Sequence, residues 1–148
     1  MTTALVTGAG KRLGRAMALE LARRGHDVAV HYASSRDEAE AVATEIRGMG
    51  QQAVTVQADL LDEAQVARLL PDAVDKLGSP ITCLINNASI FEYDNIRTAT
   101  RESWDRHMES NLRAPFVLTQ AMADQVPAAD HCDMGEPVAR GLVINMID

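Results

Sequence analysis

The stretch Ala4-Leu5-Val6-Thr7-Gly8-Ala9-Gly10-Lys11-Arg12-Leu13-Gly14 decides the fold of this chain. An apolar, β-branched run leads into three glycines, and a helical pattern follows, so the stretch predicts a strand, a tight turn and a helix. Glycines let the backbone adopt left-handed angles and let a ligand approach without a Cβ in the way. The start of the helix offers unpaired N–H groups and a positive dipole end, so the turn is suited to an anion.

Composition limits the classes of protein that the chain can belong to. Its 148 residues suffice for one domain with one core, and we assign residues 1–148 to a single unit. No apolar run approaches the length of a membrane span, and the net charge of -7 argues against nucleic acid as a partner. Neither Cys83 nor Cys132 has the spacing of a metal site, so we expect no metal, and a reducing cytoplasm fits the two cysteines.

Strand and helix patterns alternate along the whole chain. Strands are predicted at Thr3–Thr7, Val28–Tyr32, Ala53–Gln57, Ile81–Asn86 and Gly141–Ile147. Helices are predicted from Leu13 to Gly25, after a capping box of Ser35 and Glu38, after Asp62 with a kink or break at Pro71, and from Thr100 to Val126, with a polar loop over Pro127–Arg140. Single helices between strands imply right-handed crossovers and a parallel sheet. The predicted fold class is α/β, a doubly wound parallel sheet of Rossmann type with strand order 3-2-1-4-5.

Two motifs resemble the short-chain dehydrogenase/reductase family. The turn carries Thr7-Gly8, Arg12 and Gly14 in the spacing of the family's Thr-Gly-x-x-x-Gly-x-Gly, with Arg12 in place of the middle glycine, as in the pteridine reductase branch. Asn86-Asn87-Ala88-Ser89 resembles the family's Asn-Asn-Ala-Gly after the fourth strand, which lines the cofactor ribose. The resemblance covers all 148 residues and implies an oxidoreductase that uses a nicotinamide cofactor and a small-molecule substrate.

The residues after the second strand favour NADP over NAD. Enzymes that use NAD place an acid here to hold the ribose 2′-hydroxyl, but His31-Tyr32-Ala33-Ser34-Ser35-Arg36 contains no acid before Asp37. Hydroxyls, an imidazole and cations suit a 2′-phosphate, which an acid would repel. The resemblance adds Asp59 and Leu60 as residues around the adenine. Cofactor binding is therefore assigned to Gly8, Lys11, Arg12, Leu13, Gly14, His31, Tyr32, Ser34, Ser35, Asp59, Leu60, Asn87, Ala88 and Ser89.

Three residues resemble the substrate site of pteridine reductases. In that branch the counterpart of Ser89 lies near the cofactor, the counterpart of Phe91 stacks on a pterin ring, and the motif Ile-Asn-Met-x-Asp ends in an aspartate that matches Asp148. An aromatic face beside a hydroxyl suits a flat polar heterocycle. A carboxyl at Asp148 can supply a proton to a ring nitrogen, which a C=N substrate needs. The resemblance thus makes Ser89, Phe91 and Asp148 substrate-binding and Asp148 catalytic.

The long helical region carries the remaining predicted catalytic residue. Family members place a catalytic asparagine in the context of Asn111, and its backbone carbonyl holds a water. Because Pro115 has no N–H, it cannot donate to the carbonyl of Asn111 four residues earlier. Phe116 and its neighbours make this helix apolar on nearly every side, so we expect a homo-oligomer, a dimer or tetramer, as in the family.

The sequence lacks the family's Tyr-x-x-x-Lys. Tyr32 and Tyr93 have arginines, Arg36 and Arg97, four residues later. We therefore expect the domain to be truncated after the fifth strand and the parent protein to be longer, with the 148-residue chain inactive by itself. Two alternatives stay open. One is a non-catalytic dinucleotide-binding domain; the other is a methyltransferase using S-adenosylmethionine, although these enzymes usually have an acid after the second strand.

Overall fold

The computed structural model describes residues 2–147 and consists of alternating strands and helices. Asp148, predicted to be catalytic and substrate-binding, lies outside the described residues. The strands are β1 (Thr2–Val6), β2 (His26–Tyr32), β3 (Ala53–Gln57), β4 (Cys83–Asn86), β5 (Asp130–His131), β6 (Pro137–Val138) and β7 (Leu142–Asn145). The helices are α1 (Arg12–Arg23), α2 (Arg36–Gly48), α3 (Glu63–Leu77), α4 (Arg101–Met108) and α5 (Ala114–Gln125), with a π-helical segment, Glu109–Arg113, between α4 and α5.

Five strands form a parallel sheet in the order β3-β2-β1-β4-β7. This confirms the predicted order, because β7 is the fifth strand of this sheet. Strands β5 and β6 lie in the segment predicted to be a loop, where they pair antiparallel as a separate two-stranded sheet. Two residues per strand carry too little periodicity to be read from sequence.

Helices cover both faces of the sheet, which explains why the central strands are apolar throughout. Ala4 and Val6 face a core shared with α1 and α2, where Val42 and Ile46 are buried. Leu5, between them on β1, faces the opposite core. That second core contains Val66, Leu69, Leu70, Ala73 and Leu77 of α3 and Leu118 and Met122 of α5.

The predicted start of α3 is confirmed, and of the kink or break predicted at Pro71 the structure excludes the break. The Asp62 carboxylate accepts hydrogen bonds from the amides of Ala64 and Gln65, so it caps the helix as expected. The helix then runs through Pro71 to Leu77. Buried Leu70 and Ala73 on either side of the proline hold this face against the sheet, and that packing outweighs one missing backbone hydrogen bond.

The predicted capping box at α2 is also wrong. Ser35 is the N-cap residue, but its side chain makes no capping hydrogen bond. The Glu38 carboxylate instead lies 2.7 Å from the ammonium of Lys11 in the glycine turn. A reciprocal capping box does form at α4, between Thr100 and Ser103, where the sequence analysis did not predict one.

The carboxyl ends of β1, β2, β3 and β4 meet at one edge of the sheet. The Thr7 amide donates to the Ile85 carbonyl at 3.0 Å, and the Ala9 amide donates to the His31 carbonyl at 2.9 Å. From β1 the chain continues to β2 and β3 on one side of the sheet and returns to β4 and β7 on the other. This reversal of direction places a crevice between β1 and β4. Within residues 2–147, no helix has the length and apolar character needed to cross a membrane.

Candidate functional site

Two glycines shape the turn between β1 and α1. Gly8 has φ +64°, and a Cβ placed there would lie 3.1 Å from the Cα of Ala88. A Cβ on Gly14 would lie 2.2 Å from the Gly8 carbonyl oxygen and 2.6 Å from the side-chain nitrogen Nδ2 of Asn87. The two distances from the Gly14 Cβ are much shorter than van der Waals contact. The turn therefore requires glycine at position 14 and favours it strongly at position 8.

The start of α1 leaves backbone donors available. Lys11 is its N-cap residue and has extended angles, with φ -143° and ψ 160°, and its side chain does not cap the helix. Among the described residues, none accepts a hydrogen bond from the amides of Arg12, Leu13 or Gly14. These amides and the helix dipole form an anion-binding arrangement. The Leu13 side chain is 64% exposed, so only its backbone fits the predicted role in this arrangement.

Arg12 has an unusual backbone conformation. Its φ of 52° lies in the left-handed region, and Arg12 is the one residue other than glycine with positive φ in the described chain. This conformation costs an L-amino acid with a Cβ about 1 kcal/mol. The side chain is exposed and forms no ion pair with a described residue, whereas neighbouring Lys11 and Arg15 are each paired with a glutamate. Arg12 thus supplies a free positive charge beside the helix start.

The predicted 2′-phosphate site contains an acid, Glu38, whose sequence position had predicted only a helix cap. Glu38 lies on the first turn of α2, and its hydrogen bond from Lys11 is the largest cause that holds the pKa of this carboxyl below its usual value. Ser34 is exposed, while Ser35 and Tyr32 are half-buried. The Lys11 charge is therefore partly neutralised within the protein. The signal in the sequence was Glu38 itself, which was assigned to the capping box.

His31 was predicted to contact the cofactor directly, and the structure contradicts this. The residue is 1% exposed, and both ring nitrogens bind the protein backbone. Nδ1 accepts a hydrogen bond from the Gly8 amide, and Nε2 lies 3.0 Å from the Ala58 carbonyl oxygen, to which it donates. Burial lowers the pKa of the imidazole to about 4, against the opposing effect of the hydrogen bond to Ala58. The side chains of β2 alternate between the two covered faces of the sheet, so buried His31 and half-buried Tyr32 lie on opposite faces.

The structure separates the two residues predicted around the adenine. Asp59 is exposed at the end of β3, and its carboxylate accepts a hydrogen bond from the Leu61 amide at 3.0 Å. Leu60 is only 7% exposed and packs in the core beneath α3. Most of the Leu60 side chain therefore packs inside the protein, and its place beside an adenine stays a prediction.

The motif after β4 is joined to the glycine turn. The Thr7 hydroxyl accepts hydrogen bonds from the amides of Asn87 and Ala88, both at 2.9 Å. The Asn87 side chain donates to the carbonyls of Thr7 at 2.9 Å and Gly8 at 3.3 Å. Asn87 thus fixes the distance between two strand ends, which agrees with the structural role expected from consecutive amides after a buried strand.

The loop after Ser89 is held by the helical region. The Asn111 side chain accepts from the Ile90 amide at 2.8 Å and donates to the Ile90 carbonyl at 2.9 Å. His107 Nε2 accepts a hydrogen bond from the Glu92 amide at 3.1 Å. Phe91, between these two held residues, is 80% exposed. The aromatic ring is therefore presented to solvent from a fixed backbone; neither contact was predicted from the sequence.

A cavity of about 590 Å³ lies between β4, β7 and α5. Its lining brings together three of the predicted site residues, Ala88, Ser89 and Asn111, with Thr119 and Asn145. Phe91 is not part of this lining. Asn86, also on the wall, is 4% exposed and donates to Asn145 at 2.8 Å, while its Oδ1 has no hydrogen-bond partner among the described residues. The cavity therefore retains an unused buried acceptor.

Asn111 lies in the π-helical segment, where the Ala114 amide donates to the Glu109 carbonyl five residues earlier. Pro115 follows directly and cannot donate to Asn111. Pro115 predicts the lost hydrogen bond in this helix but not the wider turn. Short π segments within helices occur frequently at functional sites.

One face of the helical region is apolar and exposed. Trp104 is 60% exposed, Leu112 59% and Phe116 55%, whereas Leu118 and Met122 on the other side are buried. The expected second apolar face is thus present on the surface.

A glycine turn before an uncapped helix, at the crevice of a doubly wound sheet, defines a nucleotide-binding α/β domain. Residues 2–135 match the family model of the short chain dehydrogenases. The chain belongs to the short-chain dehydrogenase family, as its motifs predicted.

Two curated relatives illustrate the match. The 3-oxoacyl-[acyl-carrier-protein] reductase FabG of Staphylococcus epidermidis is 36% identical over 124 residues, which cover 84% of this chain and 50% of the relative. The short chain dehydrogenase mdpC of Emericella nidulans is 38% identical over 117 residues, 79% of this chain and 44% of that protein. The chain spans about half the length of the curated relatives that it matches.

A solved structure supports the same fold. The alternative dihydrofolate reductase FolM of Brucella canis, complexed with NADP, superposes with a TM-score of 0.88 at 37% identity. The match covers 99% of this chain and 55% of that chain.

Proposed function

We propose that this chain is the NADPH-binding part of a short-chain reductase and that residues 1–148 form the amino-terminal part of a longer domain. The complete protein reduces a C=N or C=O bond of a small molecule. The observation that carries the proposal is the start of α1, where three backbone amides lack acceptors among the described residues and Gly14 leaves no Cβ in the turn. A pyrophosphate fits these donors and this space.

Arg12 is the main reason to choose NADPH over NADH. A residue retained in the left-handed region at a cost in stability indicates a functional requirement, because glycine would adopt the same conformation without strain. Its unpaired guanidinium, with Lys11, Tyr32, Ser34 and Ser35, can bind a 2′-phosphate. FolM of Brucella canis, which was solved with NADP, has 37% identity to this chain.

The chain's own residues would orient the substrate beside the cofactor. Hydride donation is the chemistry that bound NADPH supplies. Ser89 and Asn111 share one cavity, and Phe91, two residues after Ser89 in the chain, presents an exposed ring. In the proposed arrangement, Phe91 stacks on the substrate, Ser89 hydrogen-bonds to it, and Asp148 supplies a proton to a ring nitrogen.

A pterin-like heterocycle is the proposed substrate class. A ring nitrogen needs a proton donor, which a carboxyl provides, and a flat polar ring suits Phe91. The name of FolM, an alternative dihydrofolate reductase, is consistent with this class. We also propose that the exposed face of Trp104, Leu112 and Phe116 is covered in a homo-oligomer, since large apolar patches are seldom left in water.

The proposal is tested by turnover in the natural polypeptide that carries this chain. NADPH oxidation is measured with dihydrobiopterin, dihydromonapterin and dihydrofolate, and separately with simple ketones. Activity on the dihydropterins supports the proposed class, whereas activity on ketones alone would reject it.

A second candidate is a non-catalytic dinucleotide-binding domain. The features that carry the proposal, the glycine turn and the amides at the start of α1, would bind a dinucleotide whether or not turnover follows. NADPH binding by the natural polypeptide, without turnover of either substrate class, would decide for this alternative.

A further inference from the structure

His31 is buried between the two ends of the proposed cofactor site, and it contacts both. Gly8 belongs to the turn at the phosphate end, and Ala58 directly precedes Asp59 at the adenine end. The imidazole joins them through a hydrogen bond of 3.0 Å on each side. A side chain with one acceptor and one donor at this spacing is needed, because Gly8 offers an N–H and Ala58 a carbonyl.

The backbone of His31 adds a third contact to the same turn. Its carbonyl accepts a hydrogen bond from the Ala9 amide at 2.9 Å. The first two amides of the turn, at Gly8 and Ala9, are therefore directed at His31 and away from any ligand. An anion must then bind the amides further along, at the start of α1, which are the ones without acceptors in the described chain.

We infer that His31 is a positioning residue for the dinucleotide: its neutral imidazole fixes the glycine turn relative to the end of β3, so that phosphate and adenine sites have the correct separation. This inference rests on the proposed function and extends it. His31 itself touches no cofactor. It acts through the Gly8 amide, whose orientation determines where the free amides of α1 point.

Three variants separate positioning from general stability. His31→Leu removes both hydrogen bonds and keeps an apolar side chain of similar size. His31→Gln keeps one acceptor and one donor on adjacent atoms, so it can restore both. Val56→Ala is the matched control, because Val56 is the cross-strand neighbour of His31, is 2% exposed, and has no part in these hydrogen bonds.

The primary measurement is the Kd for NADPH and for 2′,5′-ADP by titration calorimetry, with the folded fraction of each variant determined by circular dichroism. We expect His31→Leu to raise the Kd for both ligands by about tenfold. His31→Gln should bring both Kd values to within about threefold of the unsubstituted protein, and Val56→Ala should change neither Kd. Equal weakening by His31→Leu and Val56→Ala at equal folded fraction would overturn the inference, as would a folded His31→Gln protein that binds no better than His31→Leu.

A second measurement needs no cofactor. Nitrogen-15 NMR of the unsubstituted protein should show a hydrogen on His31 Nε2 and a scalar coupling between the Gly8 amide and Nδ1. A hydrogen on Nδ1 would contradict the inference. If the unsubstituted protein binds no NADPH, the proposed function fails, and the inferred role in cofactor binding fails with it. If it binds and His31→Leu binds equally well, only the inference about His31 fails.

Discussion

The carboxylate of Glu38 and the ammonium of Lys11 lie 2.7 Å apart and connect α2 to the glycine turn. Both groups are largely in solvent, so the pair contributes little to stability. Its importance is electrostatic, because Glu38 brings a negative charge to the place where a 2′-phosphate is proposed to bind. The pair therefore limits the affinity of the site for that phosphate.

Replacing Glu38 by Gln should strengthen NADPH binding. Lys11 would then be free to meet the phosphate, and we expect a Kd about two- to fivefold lower for NADPH with no change for NADH, measured at low salt. Glu45→Gln is the matched control, since Glu45 forms a similar exposed pair with Arg15 at 2.6 Å. An equal effect in both variants would show that only the net charge matters.

Replacing Arg12 by Gly should stabilise the protein and weaken its binding of NADPH. Glycine adopts a φ of 52° without strain, so the free energy of unfolding should rise by about 1 kcal/mol. NADPH affinity should fall by about tenfold while NADH affinity stays constant. Urea unfolding and ligand titration measure the two effects. Arg12→Lys, which keeps the charge and the strain, should match the unsubstituted protein in the free energy of unfolding and lie between it and Arg12→Gly in NADPH affinity. A loss of NADPH and NADH affinity by the same factor would contradict the account.

Replacing Gly14 by Ala should disrupt the turn. The new Cβ would lie 2.2 Å from the Gly8 carbonyl oxygen, and relieving this overlap should cost about 3 kcal/mol in the free energy of unfolding. Gly48→Ala is the control, because Gly48 ends α2 and a Cβ there meets nothing within 4 Å. That variant should be unchanged or gain up to about 1 kcal/mol. Similar urea midpoints for the two variants would contradict the close packing of the turn.

Stability should fall between pH 6.5 and pH 5 because of His31. Its pKa is lowered from 6.5 to about 4 by burial, so in this range the unfolded chain takes up a proton that the folded protein excludes. Each pH unit in that window lowers the free energy of unfolding by up to about 1.4 kcal/mol. The loss levels off below the pKa of His31 in the folded protein. Urea unfolding at pH 7 and pH 5 measures it. His31→Gln should remove most of the difference; an unchanged pH dependence in that variant would assign the effect to other groups.

The sequence was sufficient for the order of the sheet and for the residues that backbone geometry dictates. Gly14 and the strand Ala53–Gln57 could be read directly, since a turn without Cβ and an apolar run have local causes. The role of His31 could not, because both faces of β2 meet a core and its two contacts, Gly8 and Ala58, are distant in sequence. Glu38 was assigned to a local capping box, but its partner in the structure, Lys11, lies in the turn before α1.

The helical region also has one feature that could be predicted from the sequence and one that could not. Pro115 predicted a lost hydrogen bond, and the structure widens the helix just before it into a π segment. At Pro71 the same chemistry leaves α3 continuous, since buried neighbours hold it. The local sequence shows where a proline removes a backbone hydrogen bond, and tertiary packing determines how the helix accommodates the loss.

The most direct test of the central claim is the relative affinity of this chain for NADPH and NADH, measured by titration calorimetry in one buffer. The account predicts that NADPH binds at least about tenfold more tightly and that 2′,5′-ADP competes with it while 5′-AMP does not. Equal affinities, or tighter binding of NADH, would contradict the assignment of Arg12 and its neighbours as a 2′-phosphate site.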